Sequence, residues 1–189
     1  MGRRGTENQD ATPADIEAMS ALAEEGLRAG ALGFSTSRTE LHKTLAGDPV
    51  PGTLADHEEF FGIGRALANT GGGVFQLAAT HREVMGELPW MKKLARETGA
   101  TVAFNLQQVD EAPDLYREVL AKLEEAHAEG VTTFRGQFAG RPVGVLMGWQ
   151  STGPSLRRTP LGAPCGGDRR GPLHSPVAGP GWRRYPRDS

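Results

Sequence analysis

Between Thr12 and Phe134, segments with helical spacing of apolar residues alternate four times with short β-prone runs. Strict α, β, α, β order with connections of this length predicts a parallel sheet joined by helical crossovers. The first helix opens at Thr12-Pro13-Ala14-Asp15, where Thr caps, Pro suits the first helical position and an acid follows three residues on. Ile16, Met19, Ala23 and Leu27 then recur at helical spacing up to Gly30, a natural stop. Ala31–Thr36 reads as a short buried strand. A Gly- and Pro-bearing loop leads to a second capping box at Thr53-Leu-Ala-Asp56, whose helix runs to about Asn69 and ends in Gly71-Gly72-Gly73.

Val74–Ala78 reads as the second strand, and a helix from about Leu88 to Glu97 follows, closed by Gly99. Thr101–Gln107 is the third β-rich run. Pro113 opens a helix that Gly130 terminates, Val131–Phe134 reads as the fourth strand, and Val143–Met147 suggests one more short element. Four such units are half of a (β/α)8 barrel, which takes about 250 residues. The pattern therefore leaves two architectures, a small open α/β sheet or a partial barrel.

A chain of 189 residues has room for one domain with a real core. Its 21 Lys and Arg against 23 Asp and Glu exclude a generally basic nucleic-acid binder and a polyacidic tail protein. One Cys rules out an intrachain disulfide framework and makes the reducing cytoplasm the expected compartment. No apolar run reaches membrane-spanning length and the N-terminus lacks a signal-peptide stretch, so no membrane association is expected.

The average hides a break near Gly153. Residues 153–189 hold seven Arg against two Asp, with seven of the 13 Pro and seven of the 26 Gly. No apolar period survives there, and the segment cannot bury enough surface to offset its ordering entropy. It is expected to be disordered, as is the arm formed by residues 1–11, leaving 12–152 as the folded part. The tail admits two readings. It is an Arg-rich arm for an acidic partner or nucleic acid, or it is the product of an off-frame reading of GC-rich DNA, which yields Arg, Pro, Gly and Ala.

Candidates for chemistry are few. His57 and His127 fall in helices beside acids and read as solvated surface residues; His174 and Cys165 lie in the tail and have no partner there. His42 follows the first strand, on the side where α/β sheets place their sites. His81 sits just past the second strand, in Ala79-Thr80-His81-Arg82-Glu83, where an imidazole ligates a metal, acts as a base, or merely faces solvent at a helix entry. There is no His-x-His, His-Glu-x-x-His or Cys/His cluster at metal spacing. Gly71-Gly72-Gly73 precedes a strand instead of opening a helix and is no phosphate cradle. Ser35, Thr36 and Arg38 at the first strand's end offer hydroxyls and a guanidinium to a carboxylate or other anion, or serve as loop caps.

Ala29-Gly-Ala-Leu-Gly-Phe-Ser-Thr-Ser-Arg38, then His42, Val50-Pro-Gly-Thr53, Gly73-Val-Phe-Gln76 and Arg141-Pro-Val-Gly-Val-Leu-Met-Gly148 stand in one order with compatible spacing. Together they resemble the N-acyl-D-amino-acid deacylase (D-aminoacylase-like) branch of the amidohydrolase superfamily, over roughly residues 10–152. The resemblance implies a partial (β/α)8 barrel of about four βα units. It implies a metal-dependent hydrolase acting on C–N amide bonds other than peptide bonds, with zinc as cofactor and a small N-acyl amino acid or related amide as substrate. In that reading Zn²⁺ activates water, an Asp shuttles protons, and Thr80-His81 is similar to a metal-binding strand end. No nucleic acid is expected as a partner.

The family's N-terminal His-containing strand and its C-terminal Asp region have no counterpart here, and Asn105-Leu-Gln-Gln108 stands where the family places another His. The chain therefore reads as an inactive internal fragment whose residues 153–189 are a frameshift product. Its exposed sheet edges predispose it to self-association. The alternative is a small α/β binding module with an Arg-rich tail.

Overall fold

The computed structural model describes residues 1–39, 41–44, 47–80, 82–109 and 111–141, which fall in one compact unit, Met1–Val145. In chain order the elements are α1 (Arg3–Thr6), α2 (Pro13–Arg28), β1 (Gly33–Ser37), α3 (His57–Asn69), β2 (Val74–Ala78), α4 (Val84–Thr98), β3 (Thr101–Asn105), α5 (Leu115–Ala128) and β4 (Phe134–Gln137).

Thr12 caps α2 as its sequence dictates. Its side chain accepts from Asp15 N–H while the Asp15 carboxylate reaches back to the Thr12 N–H, with Pro13 in the first turn. Each crossover helix ends where a glycine or a short polar residue breaks it. Gly99 closes α4 with φ 68°, a left-handed conformation that only glycine adopts at no cost.

All four strands are parallel, in the spatial order β1-β2-β3-β4. Sequential order decides between the two architectures left open above. Because β–α–β crossovers are right-handed, strands that follow one another in one direction place every helix on the same face. A doubly wound sheet must reverse its order; a barrel does not. The chain is thus an α/β protein carrying a four-strand barrel arc, as expected.

Strand alternation sorts the side chains. Phe75 and Leu77, Val102 and Phe104, and Phe134 point to the helix-covered side and are fully buried against Leu67 of α3, Met91 and Leu94 of α4, and Val119 of α5. Each such burial contributes about 1.5–3 kcal/mol. Ring contacts add direction, with Phe104 and Phe134 centroids 5.4 Å apart and Phe60 edge-on to Phe75 at 5.9 Å. The opposite face, carrying Ser35, Gln76, Ala103 and Arg135 in one register row, has no covering layer among the described residues.

Several boundaries differ from the sequence expectation. The fourth strand is Phe134–Gln137, not Val131–Phe134. Val131 and Phe134 are both buried, so apolarity marked the core entry, whereas ladder pairing with Val102–Asn105 fixes the strand itself. Helix α4 begins at Val84, one turn earlier than expected, and takes Pro89 into its interior. Thr53 does not cap α3. It is buried, and Asp56 caps instead, accepting from Glu58 N–H at 2.9 Å. The N-terminal arm is not free either: it forms the turn α1, its Arg4 pairs with Asp15, and Asn8 accepts from Gly52 N–H. The suggested element at Val143–Met147 and the tail 153–189 lie outside the described residues.

Candidate functional site

Parallel strands end in register at Ser37, Ala78, Asn105 and Gln137, and the loops leaving them share one rim. Backbone bonds tie each strand end to its neighbour: Arg38 N–H donates to the Ala78 carbonyl at 2.8 Å and Leu106 N–H to the Gln137 carbonyl at 2.9 Å. Asn105 adds a side-chain tie, its Oδ1 accepting Ala79 N–H at 2.6 Å. Arg82 and Glu111 pair across the next two loops. The rim is therefore braced along its length, as a site built from several loops requires.

The expected substrate-binding group does not converge on one point. Ser35 lies on the uncovered face and its hydroxyl donates to Gln76 Oε1 at 2.5 Å. Thr36, one residue on, pairs in register with buried Leu77 and so belongs to the helix-covered side. Arg38 turns to that side too. Its Nε and Nη2 donate to Glu87 at 3.1 and 3.3 Å, and Nη1 donates to the Thr53 and Ala55 carbonyls at 3.2 and 2.8 Å. The guanidinium also lies over the Phe60 ring, 5.6 Å from its centroid. Four donor contacts and an aromatic face leave Arg38 little capacity for an anion; it anchors the loop after β1 to the first turns of α4.

Sequence reading missed Glu87, which unites this cluster. The same carboxylate accepts Trp90 Nε1–H at 3.0 Å, and Trp90 stacks on both Phe60 and His57. His57 is consequently a packed, half-buried residue and not a solvated one. His127 likewise has a structural bond, its Nε2 to the Phe134 carbonyl at 2.8 Å. No local signal announces the ion pair of Glu87, because its partner Arg38 lies 49 residues earlier in the chain.

At the other strand-end positions, Ser37 Oγ and His42 Nδ1 share a hydrogen bond of 2.8 Å on an exposed surface. Thr80 Oγ1 is buried and without a partner among the described residues. His81, the expected metal ligand, lies outside the described residues. A pocket of about 330 Å³ opens at the ends of β3 and β4, lined by Leu106, Gln107, Gln108, Tyr116, Phe138 and Arg141. Among the described residues no three His, Cys, Asp or Glu side chains gather as a metal cluster. That donor set alone does not fit a zinc ion.

The shifted carboxylates lie away from this rim. Burial first, then the neighbouring Asp56, Asp10 and Asp15, pushes Glu59 above its ordinary value. Hydrogen bonds from Thr12, then Arg4, hold Asp15 far below the usual carboxylate range, and the Lys92 bond lowers Glu129.

No protein-family description matches the chain, and no curated protein sequence matches it. Solved structures do. A D-aminoacylase studied for the role of its binuclear metal centre matches with TM-score 0.55 and 26% identity, over 72% of this chain and 27% of its own. The D-aminoacylase described as defining a novel subset of amidohydrolases matches with TM-score 0.54 and 25% identity over the same shares. The N-acyl-D-glutamate deacylase of Bordetella bronchiseptica, solved with zinc and a phosphonate mimic of the tetrahedral intermediate, shares the fold with TM-score 0.55 at 22% identity. The chain spans about a quarter of the length of these proteins. Over that shared stretch the chain is similar in fold and sequence to D-aminoacylases of the amidohydrolase family.

Proposed function

We propose that this chain is a βα segment of a metal-dependent hydrolase for C–N amide bonds other than peptide bonds, with an N-acyl-D-amino acid as substrate. The observation that carries the reading is the match to a D-aminoacylase across 72% of the chain; the four-strand arc, its strand ends braced into one rim, supports it. A bound zinc ion would polarise the acyl carbonyl and activate water. The residue of this chain expected to hold it is His81, next in sequence after Thr80, whose hydroxyl is buried and has no partner among the described residues. Among the described residues no three His, Cys, Asp or Glu side chains gather as a metal site, so no chemical step is assigned to the chain alone, and it is proposed to be inactive as it stands.

What the chain offers a substrate is orientation. Ser35, Ser37 and His42 present hydroxyl and imidazole groups on the β1 side. Gln107, Tyr116 and Arg141 line the β3–β4 pocket, where Arg141 makes no ion pair with the described residues and suits a carboxylate. Arg38 is proposed as the anchor that fixes the β1 loop, not as a direct ligand.

The test combines metal content and turnover. The full chain is loaded with zinc, assayed for amine release from N-acetyl-D-amino acids, and compared with His81→Ala. The reading expects no turnover and a weak zinc site that His81→Ala abolishes. Zinc uptake indifferent to His81→Ala, or turnover by the chain alone, contradicts it.

A further inference from the structure

Helix α4 presents two different stripes. Met91 and Leu94 are fully buried in the core, while Met85, Leu88, Lys92 and Arg96, spaced three or four residues apart, line a cleft between α4 and α5. Lys122 and Glu125 stand opposite on α5. The cleft holds about 450 Å³, within the size range of sites for small molecules. Every residue that lines it falls between Met85 and Phe134, in α4, α5 or β4.

Along α4 the lining changes from apolar to cationic. Met85 and Pro89 form the accessible wall near the start of the helix, and Leu88 and Phe134, both buried, close the floor. From Met85 to Lys92 the helix rises about 10 Å. Lys92 is only 26% exposed, and its ammonium gives one of its three donors to Glu129 at 2.6 Å. Glu129 is shared with Arg96, and Lys122 pairs with Glu125 at 2.7 Å. Three cations thus meet two carboxylates, which leaves one positive charge over. Lys93 is balanced separately, by Glu97 at 3.8 Å and by the Phe61 ring.

We propose that this cleft binds a free fatty acid of medium chain length, its carboxylate between Lys92 and Lys122 and its chain laid along Met85 and Pro89 toward the first turn of α4. The charge surplus fits one carboxylate, and a polyanion would outrun it. The wall of two helical turns has no use for a free anion but removes a hydrocarbon chain from water. An acidic peptide would bring several charges and polar backbone groups to a floor that offers no hydrogen-bonding side chain. The inference does not rest on the hydrolytic reading, because the cleft lies between two crossover helices and takes no residue from the strand-end rim.

The test is a nuclear magnetic resonance titration of the isotope-labelled full chain with octanoate, kept below the concentration at which it forms micelles, and in parallel with octanol and with inorganic phosphate. Octanoate should give saturable shifts at Met85, Leu88, Lys92, Lys122 and Phe134. Octanol should bind about tenfold more weakly, for want of one charge-assisted contact, and phosphate should give no saturable shift there. Lys92→Gln should weaken octanoate by a similar factor and leave octanol unchanged. Lys122→Gln, at a half-exposed side chain, reads the same loss if Lys92→Gln fails to fold. Absence of saturable octanoate shifts at the cleft overturns the proposal, including the case in which the chain's own residues beyond 141 already fill it. So do equal affinities for octanoate and octanol, saturable binding of phosphate, or shifts spread over the whole chain.

Discussion

Arg38 grips Glu87 with two hydrogen bonds of 3.1 and 3.3 Å, each side chain only 16% exposed, and through that grip the loop after β1 is fixed to the first turns of α4. Removing one partner leaves the other charged and mostly desolvated. Arg38→Met is expected to cost about 2–3 kcal/mol, below the ~3–5 kcal/mol of a fully buried pair. The double variant Arg38→Met/Glu87→Met should cost less than the two single changes combined, because no orphan charge remains. Urea unfolding of the four proteins reads the coupling; strict additivity would show that the pair does not act as a unit.

Gly64 and Leu94 meet across α3 and α4, where a Cβ on Gly64 would come within 2.5 Å of Leu94 Cδ1. Gly64→Ala should destabilise by about 1–3 kcal/mol through overpacking. Leu94→Ala, at a fully buried site, should cost about 3–5 kcal/mol by leaving a cavity. Combined, the added methyl occupies part of the space that the leucine vacates, so the double variant should be more stable than the sum predicts. Thermal unfolding measures this directly.

Glu59 and Asp15 give opposite pH signatures. Burial raises Glu59, so the folded state binds its proton more tightly than the unfolded chain, and stability falls as pH rises through the folded value. Glu59→Gln should therefore be more stable than the parent at neutral pH, with the advantage vanishing in acid below the ordinary carboxylate range. Asp15 is lowered; its contribution is present above the unfolded value and is lost as pH falls through the folded one. Asp15→Asn should weaken the capping box of α2 at neutral pH and change little in strong acid. Denaturant midpoints across the acid range check both signs.

The periodic features were legible in the sequence. Val74–Ala78 is the second strand as read, the Thr12 box caps α2, and Gly99 ends α4. Alternation also gave the fold class, while the strand order that selects a barrel arc is a tertiary fact. Local reading failed where distant partners decide. The fourth strand slid three residues because pairing with β3, and not apolarity, sets its limits. Arg38 reads as an anion ligand from its neighbours Ser35 and Thr36, but strand parity turns it to the helix side, where Glu87 and two carbonyls await it. The Thr53 position misled for a similar reason: Asp56 lies closer to the true start of α3.

The central claim is that the strand-end rim is a site for N-acyl-D-amino acids. Its most direct test is a nuclear magnetic resonance titration of the isotope-labelled, zinc-loaded chain with N-acetyl-D-glutamate and with its L enantiomer. The account predicts shifts confined to the C-terminal strand ends, around Ser37, His42, Asn105, Gln107 and Arg141, and larger for the D form. Shifts that cluster elsewhere, or none for either enantiomer, would contradict it.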